Sequence, residues 1–323
     1  VGLGWQAGRL YSGLDFQGLP KSEARPSGIV VSDQTLLGSE SDRGLGKGLQ
    51  LMNSMEMAQT LTAPRAVLCL SGGMDSTSLL LHLLDAKVQV HGLSFHYGQR
   101  HAIELERLEA NLQYLRKRGF ALDWQLVDLR SLQPLLHSAL TDNSRAMPLG
   151  HYAAENMRET VVPNRNAIFA SIAYAWALSL ANRTGEQVAI GLAVHSGDHA
   201  IYPDCRPTFY EALLSAFALG NWESEKVSAY LPYLNWDKTQ ILADGRRCST
   251  SLDLDFQQIY RQTCTSYLPD AQGRSHGLTG SDVERILAFD QLGLIDPLEY
   301  QRPWSEVVAE ARRLMVEYER TGS

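Results

Sequence analysis

A wholly apolar run, Ala66–Leu70 (AVLCL), stops at Ser71-Gly72-Gly73-Met74-Asp75-Ser76 and leads into Ser76–Leu84 (STSLLLHLL). An uninterrupted apolar stretch this short, ended by glycines, has the character of a strand buried on both faces, the condition of a parallel sheet. The leucine-rich segment after it reads as a helix. The alternation then continues. Val88–Phe95 (VQVHGLSF) reads as a strand, and His101–Lys117 as a helix with Leu105, Leu108, Leu112 and Leu115 on one face. Trp124–Leu129 and Val188–Val194 read as further strands, and Ala167–Ala181 and Thr208–Leu219 as helices. Strands and helices alternating at these lengths predict an α/β fold with a doubly wound parallel sheet. After Cys248 the pattern loosens into turn signals, and two closing helices are expected at Asp282–Leu292 and Pro303–Glu319. The expected organisation is therefore a leader over 1–51, an α/β domain over 52–247 and a smaller, mostly helical C-terminal segment over 248–323.

Composition narrows the class of function. Residues 1–51 hold ten of the 26 glycines and no sustained periodicity, which predicts a flexible or non-native leader. The formal net charge of −7 argues against a broad electrostatic footprint for duplex nucleic acid. The longest apolar stretch, Ala167–Ala181, is 15 residues, short of the roughly 18 to 20 of a membrane span. Four scattered cysteines (Cys69, Cys205, Cys248, Cys264), with no C-x-x-C pair, suit a reducing, cytoplasmic setting and supply no evident zinc site.

Small residues at 71–73 let the backbone approach an anion closely, and the N–H groups opening the next helix point at it. Ser71 and Ser76 add hydroxyls, and Asp75 suits Mg²⁺. The plainer reading is a tight turn with Ser76 capping the helix. Following a buried strand, the six-residue string is similar to the PP-loop of the N-type ATP pyrophosphatases, which cleave ATP between its α and β phosphates. It differs from G-x-x-x-x-G-K-[ST] and so disfavours γ-phosphoryl transfer.

Further motifs occur in order: SFHYGQRHAIELE, VVPNRN, IYPDCRPTF, PYLNWDKTQIL and TCTSY. Together they resemble the 7-cyano-7-deazaguanine synthase (QueC) family over roughly Arg65 to Pro297. The resemblance implies ATP and Mg²⁺ as cofactors, 7-carboxy-7-deazaguanine and ammonia as substrates, and a homodimer. It implies that Leu70, Ser71, Gly72, Gly73, Asp75 and Ser76 cradle phosphates, with Asp75 and Lys238 closest to the chemistry. Ser94, Phe95, Tyr97, Gly98 and Gln99 would lie near the adenosine or the substrate mouth, although Tyr97 reads equally as a strand-end aromatic. Arg100, at a positive helix end, suggests an anion contact. Arg165 would reach phosphate or carboxylate, while Asn164 suits a turn and Asn166 a helix N-cap. Asp204 and Arg206 would meet the substrate or pair with each other, and Tyr202 and Phe209 would stack on the deazapurine.

The chain also departs from that family. Four zinc-binding cysteines of the family align with Ser266, His276, Thr279 and Asp282, of which the hydroxyl residues are not normal zinc ligands. No tetrathiolate zinc is expected. His96 stands where the family usually has aspartate and Asn164 where it has glycine; His195 and His199 are added near YPDCRP and read as structural. Alternatives are a diverged relative that passes the acyl group to an amine-bearing protein, as the resemblance to QueC-like proteins of bacterial antiviral systems suggests. Other readings are a different PP-loop ligase, such as an NAD-synthetase-like or tRNA-thiolating enzyme, and a non-catalytic nucleotide-binding module.

Overall fold

The computed structural model describes residues 61–321, apart from 100–102, 143 and 271. The leader expected over 1–51 and Arg100 lie outside the described residues. The elements are β1 (Arg65–Cys69), α1 (Met74–Asp85), β2 (Gln89–His96), α2 (Ile103–Lys117) and β3 (Asp123–Asp128), then α3 (Arg165–Thr184), β4 (Val188–Gly191), α4 (Pro207–Gly220) and β5 (Val227–Tyr230). The chain closes with α5 (Lys238–Ser251), α6 (Phe256–Arg261), α7 (Gly280–Gln291) and α8 (Trp304–Thr321).

The sheet order is β3-β2-β1-β4-β5, and every neighbouring pair is parallel. Side chains alternate across a strand, so β1 feeds two cores. Ala66, Leu68 and Leu70 pack with Leu79, Leu83, Leu108 and Ile241 of α1, α2 and α5. Val67 packs on the other face with Ala173, Ala177 and Leu214 of α3 and α4. This two-sided burial explains why AVLCL carries no polar alternation. Each fully buried leucine in these layers is worth about 1.5–3 kcal/mol relative to exposure.

Connections run outward from β1 to β2 and β3, then return to β4 on the opposite side of β1. Loops leaving the carboxyl ends of β1 and β4 therefore diverge, which opens a crevice at the point where the strand order reverses. β4 is shorter than the expected 188–194, and its last three expected residues become the wall of that crevice.

Three elements escaped the sequence reading, β5, α5 and the six-residue α6. β5 is four residues with a half-buried serine, too short for a period-2 signal. α5 opens on a capping box: the Asp237 carboxylate accepts from Gln240 N (2.8 Å) and Gln240 Oε1 accepts from Asp237 N (2.9 Å). The boundary placed at 247/248 falls inside this helix. Among the described residues, no helix is long and apolar enough to cross a membrane.

Candidate active site

Gly72 takes φ +87°, and a Cβ there would stand 2.7 Å from the Glu104 carbonyl oxygen, so glycine is required twice over. The turn it makes delivers the chain into α1 without a side-chain cap, because the N-cap residue, Gly73, has no side chain to supply one. Ser76 is not the cap. Its hydroxyl reaches back to Ser71 Oγ (3.1 Å) and Gly73 O (3.3 Å), fastening the loop from inside.

The loop borders a cavity of about 290 Å³ at the carboxyl ends of β1 and β4. First-turn residues of four helices line it: Asp75 and Ser76 of α1, Arg165 and Asn166 of α3, Lys238 of α5, and Gly280 and Ser281 of α7. Each N-terminus carries about half a positive charge from its unpaired N–H groups, so the cavity is built to receive an anion.

Lys238 is 6% exposed. Its Nζ donates to Asp75 Oδ2 at 2.7 Å, lies 3.0 Å from Glu284 Oε2, and meets His195 Nε2 at 3.0 Å. The His195 ring is turned toward the lysine while its Nδ1 accepts from Gly197 N (3.1 Å). Burial pushes the Asp75 carboxyl up, but Lys238, His195 and Arg285 outweigh it and hold the group below its ordinary value. Asp75 Oδ1 is buried without a hydrogen-bond partner. An ionised carboxylate on the cavity lining, with one oxygen bonded to Lys238 and the other without a partner, has the chemistry of a ligand for a hard divalent cation.

The opposite wall is aromatic and carries a second pair of charges. Phe95 and Phe169 stack at 4.0 Å, and Tyr97, Tyr202 and Tyr267 surround Arg165. Glu104 also lines this end, where burial pushes its carboxyl up to about 8 against the pull of Arg165. The Cys69 and Cys264 thiols, both on the cavity wall, are pushed up to about 12 by burial and are not thiolates near neutrality.

The structure sorts the residues expected from the sequence. Leu70, Ser71, Gly73, Asp75, Ser76, Phe95, Tyr97, Gln99, Arg165, Tyr202 and Lys238 line the cavity. Gly72 shapes the loop from behind. Ser94 does not reach the cavity, because its buried hydroxyl donates to Leu70 O (2.6 Å) and accepts from Trp124 Nε1 (2.8 Å). Gly98 packs against Gln133 instead. Asp204 accepts from Asn166 N (3.3 Å), and Arg206 is exposed and donates to His199 O (2.8 Å), so they do not pair with each other. Phe209 packs into the α3–α4 core; one residue on, Tyr210 lines the cavity in its stead. Asn166 is not the cap of α3. Asn164 holds that place in the left-handed region (φ +57°), which glycine and asparagine tolerate best.

Glu284, Glu104 and Tyr267 were missed, since a lone carboxylate in a helix or an isolated tyrosine carries no spacing signal. His195, read as structural, stands against Lys238.

The four positions aligned with zinc cysteines converge, but on a carboxylate. Asp282 Oδ2 accepts from Thr279 Oγ1 (2.6 Å) and Ser266 Oγ (3.1 Å), and lies 3.8 Å from His276 Nδ1. His276 Nδ1 accepts from Leu278 N (3.0 Å). Hydroxyls and hydrogen-bonded carboxylate oxygens do not make a structural zinc set. A second polar group, His82, Asp244 and Cys248, holds the Arg247 guanidinium against Asp244 Oδ1 (2.8 Å), and that cation already occupies the carboxylate.

Residues 65–293 match the family described as queuosine biosynthesis protein QueC. The chain is 44% identical over 237 residues to 7-cyano-7-deazaguanine synthase of Chromohalobacter salexigens, covering 73% of this chain and 86% of that one. It is 42% identical over 249 residues to the synthase of Hahella chejuensis, covering 76% and 98%. NMN synthetase from Francisella tularensis superposes with a TM-score of 0.35 at 11% identity over 85% of this chain and 94% of that one, too distant to inform the site. By the span and level of these matches, the chain belongs to the QueC family.

Proposed function

We propose that the chain is an ATP-dependent enzyme that converts the carboxylate of 7-carboxy-7-deazaguanine to the nitrile of 7-cyano-7-deazaguanine. The observation that carries this reading is one cavity lined by first-turn residues of four helices that joins the Ser71–Ser76 loop and Lys238 to an aromatic wall holding Arg165 and Glu104. The names of the relatives supply the substrate class.

The triphosphate lies along the Ser71–Ser76 loop, with backbone N–H groups of α1 toward its oxygens. Asp75 would hold Mg²⁺, which when bound would supply charge neutralisation for the phosphates. The deazapurine lies between Tyr97, Tyr202 and Tyr267, and Arg165 orients its carboxylate by a planar fork. The carboxylate oxygen attacks the α-phosphorus and pyrophosphate leaves, with Lys238 countering the charge on the departing group. Ammonia then displaces AMP from the acyl adenylate, giving the amide and releasing a proton. In a second round the amide oxygen attacks another ATP, and loss of AMP with the remaining N–H protons leaves the nitrile. Glu104, whose carboxyl burial pushes up to about 8, keeps its proton near neutrality and stands at the substrate end as a hydrogen-bond donor, so the released protons pass to water. Enclosure by the α7 wall keeps water from the mixed anhydride.

Incubation with ATP, Mg²⁺ and 7-carboxy-7-deazaguanine, with and without ammonium, tests this by mass spectrometry. Amide and then nitrile, with two AMP per nitrile, are expected. AMP with no nitrile at any ammonium concentration overturns the synthase reading in favour of transfer to another amine, and no AMP overturns the catalytic reading for this substrate.

A further inference from the structure

Asp282 is the third residue of α7 and is fully buried. Its Oδ1 accepts from Ser275 Oγ (2.6 Å), and its Oδ2 accepts from Thr279 Oγ1 (2.6 Å), Ser266 Oγ (3.1 Å) and Thr279 N (3.2 Å). Ser266, Ser275 and Thr279 are themselves at most 1% exposed. A buried carboxylate is costly unless its lone pairs are met, and here hydroxyl and amide donors meet both oxygens. Arg285, one turn on, is committed elsewhere, to Asp296 at 2.6 and 2.9 Å.

Those bonds gather chain segments that both border the cavity. From Ser266 the chain runs back through Thr265 to Cys264, whose N–H donates to Gly72 O at 3.0 Å, the turn of the Ser71–Ser76 loop. Forward from Asp282, the same helix turn presents Glu284 to Lys238, which holds Asp75. The ring is closed: loop, 264–266 segment, Asp282, α7, Glu284, Lys238, loop.

We propose that Asp282 is a positioning residue that closes this ring by hydrogen bonds alone, in the place where the family's pattern sets a zinc ion. The donor set supports this, because Ser266 and Thr279 meet Asp282 through hydroxyl protons that a metal would displace, and the His276 Nδ1, 3.8 Å from Asp282, already accepts from Leu278 N. The proposal rests on the functional reading only for its nucleotide arm.

The full chain, purified with zinc in the growth medium, is assayed for metal content, melting temperature with and without chelator, and ATP affinity by calorimetry. Expected are well under one zinc per chain and a melting temperature indifferent to chelator. Asp282→Ala is expected to weaken ATP binding about tenfold or more, and Asp282→Asn, which keeps one acceptor oxygen and the shape, to recover part of it. A variant joining Ser266→Cys, His276→Cys, Thr279→Cys and Asp282→Cys is expected to take up one zinc and to become chelator-sensitive, because the four positions converge. One zinc per native chain, or a chelator-lowered melting temperature, overturns the proposal. So does a folded Asp282→Ala variant that binds ATP as the native chain does. If the native chain binds no ATP, the functional reading fails, while metal content and the cysteine variant still decide this one. If the cysteine variant does not fold, metal content and the Asp282→Asn comparison decide.

Discussion

The two walls of the cavity are built by different means. The sheet-side wall is local: a five-residue buried strand, a glycine turn and the first turn of α1 follow one another in sequence, and backbone geometry does most of the work. The C-terminal wall is not local. Thr263, Thr265, Ser266, Ser275, Asp282 and Arg285 are drawn together by side-chain hydrogen bonds across more than twenty positions. A local wall tolerates distant change and fails when one glycine is altered. A networked wall fails when any buried charge loses its partner.

The sharpest break in that contrast is Arg285→Met. Arg285 is fully buried, paired in a bidentate geometry with Asp296, and also donates to Thr263 Oγ1 (2.6 Å) and Tyr260 O (3.1 Å). Removing it leaves a buried aspartate without its cation, at a cost of about 3–5 kcal/mol. Chemical denaturation measures that loss, and a loss under about 1 kcal/mol would contradict the networked description. Next comes Lys238→Ala, which takes the shared cation from between Asp75 and Glu284. Turnover measured by AMP release is expected to fall by about 10²–10³, the scale of losing one electrostatic stabiliser. Lys238→Arg is expected to recover little, because a planar fork does not fit among groups at 2.7 to 3.0 Å around one nitrogen.

On the local wall, Gly72→Ala places a Cβ against the Glu104 carbonyl at a left-handed position. A stability loss of about 1–3 kcal/mol is expected, with impaired ATP binding. The same substitution at Gly185, which also has positive φ but nothing within 4 Å, should lose less, and the pair separates crowding from backbone strain.

Per pH unit, the most gradual effect is in pH dependence. Glu104 holds its proton in the folded chain up to about 8, whereas an unfolded glutamate releases it near 4.5. Between those values the unfolded state binds fewer protons, so this group's stabilisation is whole below about 4.5 and lost as pH rises through about 8. The stability advantage of Glu104→Gln over the native chain should grow by up to about 1.4 kcal/mol per pH unit across that window. A pH-independent difference would remove Glu104 from the protonated class.

The sheet was legible because β1, β2 and β4 are apolar runs bounded by turn residues, and the Ser71–Ser76 loop because its chemistry needs small residues in one short string. β3 was legible although it is an edge strand with exposed positions. β5 was not, since four residues with one serine hold no periodicity. Within the site, Lys238 emerged through a motif, but its partners Glu284 and His195 come from other elements, and no local pattern announces a partner 46 or 43 positions away. Phe209 and Tyr210 show the finer limit: adjacent aromatics on a helix differ by about 100° in direction, and the sequence alone does not say which one faces the cavity. Asp282 shows the reverse. Its position was singled out as a lost ligand, yet only the folded chain reveals that it gathers the other lost ligands around itself.

The central claim, that this cavity adenylates a carboxylate and expels pyrophosphate beside Lys238, is tested most directly by isotope exchange. Labelled pyrophosphate, ATP and Mg²⁺ are incubated with 7-carboxy-7-deazaguanine and no ammonium, and label is followed into ATP. The account predicts exchange that requires the deazaguanine carboxylate and disappears in Lys238→Ala. Exchange that proceeds without the carboxylate, or none under any of these conditions, would contradict it.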